Sequence, residues 1–600
     1  MADYKSAKEA FHADNPGSSV HYINLISVTA LTGYALYATA SRRTQSWLLD
    51  YTTTVLPLLL AMTTMSSHLV LLNGVLVVAA FVFKATTPKS WYPHRVTKPR
   101  GRWLADSDSE DEGGSGRRTP TRRPKVKLPS QMVAEANAAE AERQSGSASA
   151  SALSSPVSPD EGRRRRVSPV PWDRGAVIDI GSLKAPLSSS PGKLDPPPTQ
   201  TQLPDSGPRR PLRPRTYLPF LSVYRSHMMV MTVLAILAVD FPVFPRILGK
   251  TEDWGTGLMD VGVGSFVFSL GIVSSKAFSA TRKDKAFPAT RRNKMLATLL
   301  GSLRRALPVL ALGFVRLLMV KGVEYPEHVT EYGVHWNFFF TLGLVPALAT
   351  ALLPLRRKYK WGVIAVAIAV LQQLIFAVPG LTPFLLNSHR PNILAANKEG
   401  LASLAGYLAI FLVGLGIGEH ILMLSTGRRR RHSSLRRREP VTSGNESDDE
   451  FSDPDVVAER ATRRRPELAL ELAGYAAASW FALGACNYFG WRVSRRLANV
   501  PYVLWTVAYN ASYLAGYLFI EIWLSDPRPG HYSRACPPLL DAVNANGLAV
   551  FLLANVGTGI INVSMQTMFA PDWLAMAVLV LYSVAVCGIA WLLRGVRIKI

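Results

Sequence analysis

The chain has 600 residues, 48% of them hydrophobic, and a formal charge of +25. Few soluble domains combine that apolarity with that charge, whereas long apolar spans separated by basic loops do so naturally. The charge therefore gives no support to a nucleic-acid binder. The three cysteines (Cys486, Cys536, Cys587) show neither metal-ligand spacing nor a disulfide framework.

The first 20 residues are polar and do not resemble a cleavable leader, so the first apolar span, Tyr22 to Ala40, is expected to stay in the protein. Further spans follow, among them Met228 to Phe244, Trp361 to Val378, Leu401 to Met423 and Trp573 to Leu593. Each is long enough to cross about 30 Å of hydrocarbon as a helix. The expectation is an all-α polytopic membrane protein of about thirteen transmembrane helices. Asn73 and Gly74 are read as splitting Val55 to Phe83, and Arg304, Arg305 and Arg316 interrupt Leu303 to Val320. The chain divides into membrane blocks at 1–85, 216–426 and 467–600 and low-complexity segments at 86–215 and 427–466. The latter are rich in Ser, Pro and Arg, carry runs such as DSDSEDE, and are expected to be disordered cytosolic loops. Asn445 heads a glycosylation sequon in the second of them and is expected to stay unmodified there.

Alternate loops are basic. Ser41 to Arg43, the segment holding Arg163 to Arg166, Lys276 to Lys294, Arg356 to Lys358, Arg428 to Arg438 and the C-terminus form one set. The positive-inside rule assigns that set to the cytosol and puts the N-terminus in the lumen. The other set, around Gly249 to Asp253, Glu324 to Glu331 and Asn387 to Glu399, is acidic or mixed. Arg492, Arg495 and Arg496 fit poorly, because they fall on the lumenal side, where the last two are expected at an interface.

Several polar clusters sit against this apolar background. Asp240 is read as ending the span Met228 to Phe244, Arg246 and Lys250 lie in the turn beyond, and Asp260 lies in the next helix beside GVGS. Charges kept at membrane depth usually line cavities or carry chemistry. Two readings stay open: a polar pocket, or an ion pair that only fixes helix packing. His335 begins an apolar helix near the same face, as either an interfacial residue or a general base. Arg390, Asn397 and Lys398 precede another helix, where they either grip a lipid phosphate or snorkel. Amides from Asn544 to Gln566 run through a late helix, more in keeping with helix contacts than with ligand binding. No nucleophile elbow, Walker loop or zinc-protease motif is present, and no metal ligands are assigned.

Six blocks in order, YKSAKEAFHADNPGSS, DFPVFPRILGKTEDWGTGLMDVGVGSFVFS, TEYGVHWNFFFTL, NKEGLASLAGYLAI, SRRLANVPYVLW and NGLAVFLLANVGTGIIN, resemble the GPI-anchor inositol acyltransferase family, and its fungal branch in particular. The resemblance covers nearly the whole chain outside the two low-complexity segments. It implies a multi-pass endoplasmic-reticulum enzyme that moves a fatty acyl group from acyl-CoA to the inositol 2-hydroxyl of glucosaminyl-phosphatidylinositol. No cofactor is implied beyond acyl-CoA as co-substrate, and the partners are these substrates and membrane lipids. Within the family block, Asp240 is expected as base or orienter and Lys250 as the cation at the oxyanion or leaving group. His335 is the alternative base, and Arg246, Asp260, Arg390, Asn397 and Lys398 are candidate substrate-binding residues. A polytopic lipid transporter or flippase is the rival reading.

Overall fold

The computed structural model describes residues 8, 10–11, 15–41, 46–86, 218–281, 291–322, 329–387, 390–425, 464–524, 536–596 and 598. Both low-complexity segments and Asn445 lie outside these residues. All regular structure among them is helical, with no strand.

The principal helices are α1 (Val20–Ala40), α2 (Trp47–Thr54), α3 (Leu56–Met62), α4 (Leu69–Thr86), α5 (Pro219–Ala238), α6 (Leu258–Thr281), α7 (Arg291–Gly322), α8 (Phe338–Ala351), α9 (Trp361–Phe376), α10 (Lys398–Ser425), α11 (Arg465–Tyr488), α12 (Val500–Leu524), α13 (Gly547–Ser564) and α14 (Asp572–Leu592). Among the described residues, ten helices are long and apolar enough to cross a membrane, and three shorter apolar stretches accompany them at Trp47–Met62, Phe338–Ala351 and Trp361–Phe376. The chain is a polytopic helical membrane protein. The expected thirteen crossings require all three short stretches to count as passes.

Two sequence boundaries move. The break expected at Asn73–Gly74 lies instead at the turn before Leu69, and α4 runs through both residues. The Asn73 amide donates to the carbonyls of Leu25 (3.2 Å) and Leu69 (2.9 Å), and its oxygen accepts from Thr32 Oγ1 at 2.8 Å. A satisfied amide ties α4 to α1 rather than ending the helix. The span read as Met228 to Phe244 is shifted as well: α5 starts at Pro219 and stops at Ala238, so Asp240 sits in the turn after it. Proline at the start suits a helix, and Pro242 and Pro245 cannot continue one. Hydropathy missed these polar positions because they face other helices inside the bundle. Ser226 Oγ donates to Leu540 O (2.5 Å), and His227 Nδ1 meets the Tyr517 hydroxyl at 2.8 Å. In α7 the arginines expected to interrupt the span do not break the helix, because Arg304, Arg305 and Arg316 project from its exposed side.

α6 packs closely on α10 through glycines. A Cβ on Gly271 would lie 2.3 Å from Phe411 O, and one on Gly414 2.3 Å from Phe268 O. Small residues let membrane helices approach this closely. α10 then carries an acid near each end. Glu399, at its start, binds Arg390 and Arg496. Glu419, between five and six turns further along, binds Arg356 at 2.6 Å and accepts from Trp361 Nε1 at 3.1 Å. The acids near the two ends of α10 thus meet different connectors. At the Glu399 end the connectors 239–257, 329–337, 390–398 and 491–499 are joined to one another by ion pairs and hydrogen bonds.

Candidate active site

The turn after α5 delivers Asp240 to a partly open cavity of about 310 Å³. One part of its wall is charged, with Asp240, Arg246, Lys250, Glu331 and Arg495. The other is apolar, with Met228, Met231, Ile236, Val263, Phe338 and Phe551 from α5, α6, α8 and α13. Small-molecule sites commonly pair an apolar wall with a few placed polar groups, and this volume is at the low end of their range.

Asp240 is buried and held by two partners. Its Oδ1 lies 3.1 Å from Lys8 Nζ, and its Oδ2 accepts from Asn562 Nδ2 at 2.8 Å. Lys8 Nζ in turn donates to Asn562 Oδ1 at 3.0 Å, which closes a three-residue ring. Asn15 reinforces the same wall by donating to the carbonyls of Arg246 (2.8 Å) and Lys250 (3.2 Å). The Arg246 guanidinium stacks 5.0 Å from the Phe11 ring. Lys250 Nζ pairs with Glu331 Oε1 at 2.6 Å, and its side chain is 35% exposed. Asp240 and Lys250 therefore line one cavity while each is held by a separate partner.

Glu331 Oε1 also lies 3.7 Å from Arg495 Nη2, and Arg495 Nε donates to Asp260 Oδ1 at 2.6 Å. Asp260 Oδ2 accepts from the backbone N–H and hydroxyl of Thr251 at 3.1 and 2.9 Å. An alternating relay, Asp260–Arg495–Glu331–Lys250, thus backs the cavity. Burial disfavours the charge on Arg495, but Glu331 and Asp260 outweigh it and hold the guanidinium pKa well above its ordinary value. Asp260 anchors this relay and is not itself part of the cavity wall.

His335, Arg390, Asn397 and Lys398 do not line the cavity. His335 is exposed, and its Nδ1 lies 3.5 Å from Asn397 Nδ2. Asn397 Oδ1 accepts from the backbone N–H groups of His335 (2.9 Å) and Trp336 (3.0 Å), which pins the 329–337 connector to the start of α10. Gly333 makes that approach feasible, with φ +115° and a Cβ that would meet Ala396 O at 2.5 Å. Arg390 grips both oxygens of Glu399, at 2.9 and 2.7 Å. Lys398 Nζ donates to the carbonyls of Phe384 (2.6 Å) and Asn387 (2.7 Å).

Arg495 and Arg496 are buried rather than interfacial. Arg496 binds Asp253 at 2.5 Å and Glu399 at 2.8 Å. Their departure from the positive-inside pattern has a physical cause: buried carboxylates neutralise them, so they are not free loop charges. That misfit, and the place of Arg495 in the block SRRLANVPYVLW, were the sequence signals for it. Lys8 gave none, because its role depends on the N-terminal segment folding back onto α5 and α13.

The GWT1 family model matches residues 4–125 and 184–593. Among curated proteins, the chain is 43% identical to GPI-anchored wall transfer protein 1 of Cryptococcus neoformans var. neoformans and 42% identical to that of Cryptococcus neoformans var. grubii, with both chains of each pair covered in full. It is 40% identical to GPI-anchored wall transfer protein 1 of Yarrowia lipolytica over 64% of this chain and 74% of that one. These matches establish that the chain belongs to the GWT1 family.

Proposed function

We propose that this chain is a membrane O-acyltransferase of GPI-anchor biosynthesis, which transfers a fatty acyl group from acyl-CoA to the inositol 2-hydroxyl of glucosaminyl-phosphatidylinositol. The observation that carries the reading is the convergence of Asp240 and Lys250 on one cavity that is charged on one wall and apolar on another. A lipid thioester and a sugar-bearing lipid need both kinds of wall.

In this mechanism the inositol hydroxyl attacks the thioester carbonyl while Asp240 accepts its proton. The developing oxyanion faces Lys250, held by Glu331. Collapse breaks the C–S bond, and the departing thiolate takes up the proton that Asp240 accepted, which restores the carboxylate. Direct transfer is preferred to an acyl-enzyme, with Asp240 held by Lys8 and Asn562 and Lys250 by Glu331. Lys8 and Asn562 position Asp240. Arg246 faces the substrate, whereas Asp260, Arg390, Asn397 and Lys398 hold the connectors that carry the site. The exposed His335 is not assigned a chemical step. The cavity end faces the lumen of the endoplasmic reticulum, with the basic loops in the cytosol.

The test is purified full-length protein in lipid nanodiscs with labelled acyl-CoA and the glucosaminyl lipid. Transfer of label to an alkali-labile inositol ester supports the proposal. Movement of the glycolipid between leaflets without ester formation would favour the transporter reading.

A further inference from the structure

Arg495 is among the most deeply buried cations of the described residues, its side chain 2% exposed, and it lines the cavity. Two of its three nitrogens are engaged: Nε by Asp260 at 2.6 Å, and Nη2 loosely by Glu331 at 3.7 Å. The third, Nη1, is buried with no hydrogen-bond partner among the described residues. Buried donors left over in this way are uncommon and call for a partner. The neighbouring carboxylates are already committed. Asp260 takes two further bonds from Thr251, and Glu331 Oε1 is also bound by Lys250 at 2.6 Å. The guanidinium is thus fixed in place with one edge unspent. The wall also holds Arg246, Lys250 and Arg316 against Glu252, and the charge of its Asp240 is matched by Lys8, so cations outnumber carboxylates there. An oxygen anion is the complement such a site lacks, and the planar fork of arginine suits phosphate esters.

We infer that Arg495 binds a phosphate ester of one of the two substrates through its unpartnered Nη1, and so sets where the reacting end of that substrate lies relative to Asp240 and Lys250. This rests on the acyl-transfer reading above. The glycolipid carries a phosphodiester and the acyl donor carries phosphates, so either can supply the anion, and the assay below distinguishes them.

The experiment uses full-length protein in nanodiscs and two variants. Arg495→Lys keeps the charge and loses the fork. The double variant Asp260→Asn/Arg495→Gln keeps the buried pair neutral. The expected result is a rise in KM on the order of tenfold to a hundredfold for one substrate. A rise confined to the glycolipid assigns the lipid phosphodiester, and a rise confined to acyl-CoA assigns the donor phosphates. Inorganic phosphate should compete with that same substrate in the wild type and raise its melting temperature, and both effects should vanish in Arg495→Lys. Unchanged KM values in a folded variant overturn the inference, as does absence of phosphate competition in the wild type. A wild type without transferase activity, but with a phosphate-dependent melting shift lost in Arg495→Lys, would retain the anion site and refute the acyltransferase reading instead.

Discussion

Replacing Asp240 by Asn removes one negative charge and almost no volume. Two consequences follow, and the ring with Lys8 and Asn562 allows them to be separated. The chemical one is the loss of a general base, which typically contributes 10²- to 10⁴-fold, or about 2.7 to 5.5 kcal/mol of barrier at 1.36 kcal/mol per decade. The structural one is a lysine left in a site where its side chain is only 10% exposed, without its carboxylate. Breaking a buried pair from one side costs about 3 to 5 kcal/mol. Asp240→Asn alone should therefore lose activity and melt earlier. Pairing it with Lys8→Met restores neutrality, so the double variant should recover most of the lost stability. Its activity should remain at least a hundredfold below wild type. Initial rates of labelled acyl transfer, read beside thermal unfolding of the same nanodisc preparations, give both quantities. A double variant that melts like wild type and transfers acyl groups within about threefold of its rate would refute the assignment of Asp240 as base.

Lys250→Met removes the cation facing the oxyanion and should lower kcat by about 10²- to 10³-fold with little change in binding; an unchanged kcat in single-turnover assays would remove Lys250 from the mechanism. His335→Ala should keep activity within about threefold, since the ring is exposed and away from the cavity; a hundredfold loss of rate in a stable variant would restore it as the base. Arg390→Ala strips one of two cations from the fully buried Glu399 and should destabilise the fold by about 3 kcal/mol, seen in unfolding rather than in KM. Gly262 faces the cavity, and a Cβ there would meet nothing nearer than Thr232 Oγ1 at 4.0 Å, so Gly262→Val should fold. It should shift preference toward shorter acyl donors, at about fourfold per excluded methylene; a chain-length profile identical to wild type would show that the acyl chain lies elsewhere.

Hydropathy was enough to read a helical membrane protein, because lipid forces backbone groups to pair within each segment and local composition reports that directly. The same local signals misjudged α5 and α4. Ser226, His227 and Asn73 look like interruptions in a hydropathy window, yet each finds its partner on another helix. The block from Asp240 to Asp260 stood out as unusual for a membrane, and the order of blocks pointed to the family. Which of its charges meet could not be read from spacing. Lys8 reaches Asp240 across more than 230 positions of sequence, and Arg495 reaches Asp260 across a similar gap. The two equal readings of that block, pocket or packing pair, proved to describe different residues: Asp240 and Lys250 line the cavity, while Asp260 anchors the relay behind it. Ion-pair partners are chosen by how distant helices pack, and packing is a property of the assembled bundle that no window of sequence contains.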